Sequence, residues 1–148
     1  MSDNIRGIEC SLFNGKIKDL LIFLSNKPYD FYVRRCMKID NNRELLPKSS
    51  NNYSIFSSDL KKLAKSTIWE LVLDIYPMGE NSQAIETYDD FINSQCLCCL
   101  IFYDCALLDI YVKESTLRDQ IYNLLCSLQA EDLNFITDST DGRTSLST

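Results

Sequence analysis

The sequence predicts an α+β fold in a single domain: a mostly antiparallel central sheet packed by about three to four helices over residues 1–137, followed by a flexible C-terminal tail, 138–148. Three observations carry this. Cys96 to Lys113 reads as two strands joined by a tight turn near Asp104, the first apolar on both faces and therefore central, the second alternating. Thr67 to Tyr76 alternates over its whole length. Two stretches, Lys16 to Ser25 and Leu117 to Leu128, carry apolar residues at helical spacing, wide enough to cover one face of a sheet.

Taken in order, Asn4 to Phe13 alternates as a first strand, with Ile8, Cys10 and Leu12 on one side. Asn14-Gly15 is a turn signal. In the first helix Ile17, Leu20, Leu21 and Leu24 fall on one face, and Lys27-Pro28 ends it. Tyr29 to Ile39 is aromatic and β-branched, hence a strand. Asp40-Asn41-Asn42 turns it, Glu44 to Leu46 returns as a short edge strand before Pro47, and Lys48 to Asn52 is a surface loop.

Ser58-Asp59 caps a short helix, Leu60 to Lys65. The alternating strand then places Trp69, Leu71, Leu73 and Ile75 on a core face, and Glu70, Val72, Asp74 and Tyr76 on the other. Pro77 to Ser82 is a loop. Thr87 caps Tyr88 to Ser94, with Asp89 and Asp90 where negative charge suits the helix dipole. Ser115 or Thr116 caps the last helix, and Leu133 to Ile136 forms a last strand.

The chain has 148 residues, 45% apolar and 24% charged, which is the size and balance of one globular domain with its own core. Net charge is −6, unevenly spread: Met1 to Ser66 carries 12 Lys/Arg and 7 Asp/Glu, Thr67 to Thr148 carries 3 and 14. Such halves either neutralise each other in the packed domain or polarise its surface. A dense Lys/Arg cluster is lacking, which speaks against a nucleic-acid partner. No apolar run is long enough to span a membrane and no leader-like start is present, so a cytoplasmic location with reduced thiols is expected.

Histidine is absent, so His-activated nucleophiles and His-containing zinc sites are excluded as normally built. No glycine-rich phosphate loop is spelled. Cys96, Cys98, Cys99 and Cys105 could be read as thiolate ligands, but alternate strand residues point to opposite faces and the spacers are apolar. They read better as buried core thiols, with Cys105 at the turn the most exposed. No cofactor or metal is expected.

The second candidate is the acidic and aromatic sheet face. Glu70, Asp74, Tyr76, Asp109 and Tyr111 form a candidate partner surface with tyrosine anchors. Glu70, Asp74 and Asp109 could instead act as acid and base or hold Mg²⁺. Arg34, Arg35 and Lys38 read as a solvated strand end, with an anion site as the alternative.

Arg6-Gly7-Ile8, Ile75-Tyr76-Pro77-Met78-Gly79, Thr87-Tyr88-Asp89-Asp90-Phe91-Ile92, and Tyr103-Asp104-Cys105 followed by Tyr111 come in a family's order. On these motifs the chain resembles a family of uncharacterised cytosolic proteins of about this length from Bacillus-like Firmicutes. The resemblance runs from Arg6 to about Asp138 and is poorest over Lys38 to Ser66. It implies no activity, and no functional residue is carried over from it.

Size, acidity and the missing catalytic set lead to the expectation of a small acidic binding module, of the inhibitor or immunity type, that neutralises a basic protein. A metal-dependent enzyme built on the carboxylate cluster is the alternative.

Overall fold

The computed structural model describes residues 3–38 and 53–148. Seven strands form one sheet, β1 (Ile5–Ser11), β2 (Tyr29–Lys38), β3 (Tyr53–Ile55), β4 (Ile68–Pro77), β5 (Cys98–Tyr103), β6 (Leu107–Val112) and β7 (Glu131–Thr137). The helices are α1 (Ile17–Ser25), α2 (Ser57–Leu63), α3 (Tyr88–Asn93) and α4 (Ser115–Ser127). The spatial order is β3-β2-β4-β5-β6-β1-β7, and every neighbouring pair is antiparallel. The α+β architecture expected from the sequence is therefore the one observed.

The chain walks β2-β4-β5-β6 as neighbours, because each connection returns along the same sheet. The β5–β6 turn falls where the sequence placed it. Asp104 and Cys105 both adopt left-handed backbone, and Ala106 N–H donates to the Tyr103 carbonyl at 3.2 Å. Leu100↔Ile110 and Phe102↔Leu108 set the hairpin register. β1 then lies between β6 and β7, so the first strand is held by the last two. Gly7 makes this possible: a Cβ there would sit 2.1 Å from the Ile110 carbonyl oxygen.

One face of the sheet carries the main core. Ile8, Val33, Leu71, Leu73, Leu100 and Ile110 pack under α1, α2 and α4. α1 buries Ile17, Leu20, Leu21 and Leu24, the predicted stripe. α4 buries Leu117, Ile121 and Leu125, with Leu124 and Leu128 at the edge of the stripe. α2 starts at Ser57 and runs only to Leu63; the Asp59 carboxylate accepts from Phe56 N–H.

The opposite face has its own smaller core of Val72, Tyr76, Cys99, Ile101 and Tyr111. It is covered by the connection that contains α3 and by the C-terminal segment. Thr87 caps α3 as predicted, accepting from Asp90 N–H while Asp90 accepts from Thr87 N–H. Residues 138–148, expected to be a flexible tail, are placed here against the sheet. Leu146 is 1% exposed, and its N–H donates to the Glu86 carbonyl at 2.8 Å.

Further expectations need correction or fall elsewhere. The last helix, for which Ser115 or Thr116 is the expected cap, has Glu114 at its N-cap and no side-chain cap hydrogen bond. Trp69, assigned to the core face, is 38% exposed. A register shift between Ile68 and Glu70 puts it in an irregular step, so the alternation that would bury it is broken there. Tyr53–Ile55, to which the sequence assigns no element, pairs with β2 as an edge strand. The turn at Asp40-Asn41-Asn42, the edge strand at Glu44 to Leu46 and the loop at Lys48 to Asn52 lie outside the described residues.

Candidate functional site: the acidic and aromatic sheet face

Glu70, Asp74 and Tyr76 come from β4, Asp109 and Tyr111 from β6, all on the face opposite the main core. β5 separates the two strands, with Asp74↔Cys99↔Tyr111 in one row. Tyr111 is therefore about two strand spacings from Asp74, and Asp109, two residues further along β6 in the Val72↔Ile101 row, is roughly 12 Å from it across the sheet.

Each carboxylate has its own arginine. Arg34 Nε lies 2.7 Å from Asp74, Arg35 Nε 2.7 Å from Glu70, and Arg143 Nε 2.7 Å from Asp109. The two consecutive arginines reach one face because β2 holds an extra residue between the rows Val33↔Leu73 and Arg35↔Val72. A strict strand would have sent them to opposite sides. The sequence offered no signal for that bulge.

The Arg34–Asp74 pair is the most buried. Asp74 is fully buried and the Arg34 side chain is 12% exposed. Arg34 Nη1 donates to the Ile85 carbonyl at 2.8 Å, and Nη2 donates to Cys99 Sγ at 3.0 Å. The Nε contact with Asp74 is close but not aligned as a hydrogen bond, so it acts as an ion pair. Burial pushes the Asp74 carboxyl above its ordinary range, and Arg34 opposes that shift.

The tyrosines are internal as well. Tyr76 Oη accepts from Gln83 N–H at 2.9 Å, which fixes the loop after β4. Tyr111 Oη donates to Asp141 Oδ1 at 2.9 Å. Burial, the first cause for both, pushes the two phenols upward. Asp141 also accepts from Arg143 N–H and from Arg6 Nη1, both at 3.1 Å. Arg6 Nε reaches Asp138 at 2.8 Å, and its guanidinium lies 4.1 Å from the centre of the Tyr88 ring. The C-terminal segment is thus strapped by Arg6, Asp109 and Tyr111, which sequence reasoning had not linked to it.

Of the five candidate residues, Asp74, Tyr76 and Tyr111 are buried, and Glu70 and Asp109 are partly exposed. Acid–base or divalent-cation chemistry would need the three carboxylates to converge. Here they face three different guanidiniums. Among the described residues no group of three or more Cys, Asp or Glu is placed to hold a metal ion.

The seven cysteines are all free. Cys10, Cys96, Cys98 and Cys99 are buried. Burial pushes Cys10 and Cys96 up to about 12, and Cys98 and Cys99 well above the ordinary thiol range. Cys105, expected to be the most exposed thiol, is only partly so; Cys126 is the exposed one. It follows Leu125 on α4, and the next residue after a buried helical position turns toward solvent.

These features define a two-faced antiparallel sheet protein whose ionic face is neutralised from within and closed by the chain's own C-terminal segment. The chain belongs to the family described as "Protein of unknown function (DUF2691)", which matches residues 5–147 and so includes that segment. It is also similar to a protein of Bacillus subtilis (strain 168) named "Uncharacterized protein YncE", 32% identical over 93 residues, 63% of this chain and 60% of that protein. The chain thus spans about three fifths of the length of the curated relative it matches. No solved structure matches it. Among the described residues no helix is long and apolar enough to cross a membrane.

Proposed function

We propose that this chain is a binding module for a basic protein, of the inhibitor or immunity type, and that its partner reads the exposed carboxylates around the closed face rather than the five residues beneath. One observation carries this reading. In residues 67–148 the three cations are all engaged internally: Arg143 with Asp109, Arg118 with Asp119, and Lys113 donating to the Ser94 carbonyl. Glu80, Glu86, Asp89, Glu114, Glu131 and Asp132 are exposed and make no ion pair among the described residues. Uncompensated surface charge of one sign raises the rate of encounter with the opposite sign and falls off with salt.

The test is capture of partners from a Bacillus lysate on the tagged full chain at low and at high salt. Two charge-reversed forms, Glu86→Lys with Asp89→Lys and Glu131→Lys with Asp132→Lys, are run alongside. A stoichiometric basic protein that is released by salt and lost from one of the two forms supports the proposal. Capture of nothing basic, or equal capture by all three forms, overturns it. Substitutions at Asp74 or Asp109 are unsuitable, because they break internal pairs.

A further inference from the structure

The helix-covered side of the molecule holds a groove of opposite character, about 670 Å³, between α1, α2 and the β5–β6 hairpin. Its apolar lining includes buried Ile68 and Phe102, and Ile22, which is 42% exposed although it belongs to an apolar helix. Lys18, Lys61 and Lys65 stand on its rim, all exposed. Among the described residues none of the three makes an ion pair and no acidic residue lines the groove. On the opposite face, by contrast, Arg6, Arg34, Arg35 and Arg143 each meet a carboxylate.

We propose that this groove docks an acidic amphipathic helix from a partner protein. The apolar floor takes the apolar stripe of such a helix, and the lysines on both walls take the carboxylates that flank it. Charge decides the sign of the partner: in a chain of net charge −6, the charged residues that line this groove among the described residues are all cations. The open shape decides its kind. A small ligand is normally buried over roughly 70–90% of its surface, which walls as exposed as Ile22 and the three lysines do not provide. A helix brings its own polar face to solvent and covers the floor at the same time. The site lies on the other side of the sheet from the proposed basic-partner surface, so the two stand or fall separately.

The probe is a synthetic peptide of about four helical turns, with Leu and Phe at i, i+3, i+4 and i+7 and Glu or Asp elsewhere. Its companions are the same apolar pattern with Lys in place of the acids, the acidic peptide with its apolar order scrambled, and sodium laurate. Binding to the full chain is followed by anisotropy and by the methyl signals of Ile22 and Ile68.

The acidic amphipathic peptide is expected to saturate and to shift those signals. Lys61→Glu with Lys65→Glu is expected to weaken it about tenfold, as two exposed ion pairs become repulsions. Lys61→Gln with Lys65→Gln gives a smaller loss without reversing charge, and Glu86→Lys with Asp89→Lys leaves binding unchanged. Equal binding of the Lys-flanked peptide, or no shift from any peptide, overturns the proposal. So does a shift from laurate alone, or self-association of the chain that the lysine reversals abolish.

Discussion

Arg34 Nε sits 2.7 Å from the carboxylate of Asp74, and that carboxylate has no exposed surface. A buried ion pair is weak support for stability while intact, but removing one partner strands the other charge. Arg34→Met is expected to cost about 3–5 kcal/mol in urea denaturation, and Arg34→Met with Asp74→Leu to recover much of it. If the double variant is as unstable as the single one, the pair is not what Asp74 depends on.

Gly7 leaves no room for a side chain between β1 and β6. A Cβ there would meet the backbone of Ile110 at 2.1 Å and Tyr111 Cα at 2.9 Å, and neither can move without breaking the β1–β6 ladder. Gly7→Ala is expected to cost about 3 kcal/mol, at the upper end of overpacking penalties. A melting temperature equal to that of the parent would show that β1 can shift freely.

Glu9 pairs across the sheet with Asp109, and burial, then Asp109 and Asp141, push its carboxyl above the ordinary 4.5. The native state therefore holds this proton more tightly than the unfolded chain. The favourable contribution is complete below pH 4.5 and is lost as pH rises through the higher folded value. Glu9→Gln is expected to stabilise the protein at neutral pH by roughly 0.5 kcal/mol, a figure discounted for screening because the group is only partly buried. The gain shrinks toward zero in acid. A constant difference across the pH series would exclude this origin.

Leu146 fills the small core beside Ile85 and Tyr111 from the last residues of the chain. Leu146→Ala is expected to cost about 2–3 kcal/mol. It should also speed hydrogen exchange at the amide of residue 146, which in the parent is bonded to the Glu86 carbonyl. Unchanged stability would mean that residues 138–148 contribute nothing to the fold in solution.

Thiol exposure gives a further check. With the protein native, iodoacetamide is expected to modify Cys126 first and to spare Cys10, Cys96, Cys98 and Cys99, which are buried and held as thiols. Mass-spectrometric mapping that finds Cys98 or Cys99 labelled early would mean that the sheet opens.

The elements most legible in the sequence are those set by local chemistry. Thr87 with Asp90 is a capping box that needs no tertiary help, and Leu117, Ile121 and Leu125 repeat at one helical face. The β5–β6 turn was marked by the change from an apolar run to Asp104-Cys105. What escaped was set by pairing over distance. Arg34 and Arg35 share a face because one residue is inserted in β2, and Trp69 is exposed by a comparable slip in β4. A two-residue period cannot announce its own interruption. The candidate face was likewise found in its composition but not in its arrangement. Glu70, Asp74 and Asp109 were legible as carboxylates, whereas Arg143 and Asp141 came from a Ser/Thr-rich end with no helical or strand period.

The position of β1 also governs how the molecule can be made. Ile8 pairs with Ile110 on one side and Phe135 on the other, so both partners lie about a hundred residues or more further along the chain. On a ribosome that adds roughly 5–20 residues each second, the opening segment spends several seconds without either ladder. During that interval it offers Ile8 and Cys10, destined for the core, on an unpaired strand to whatever it meets. Closing so long a loop makes β1 a late and slow piece of the assembly.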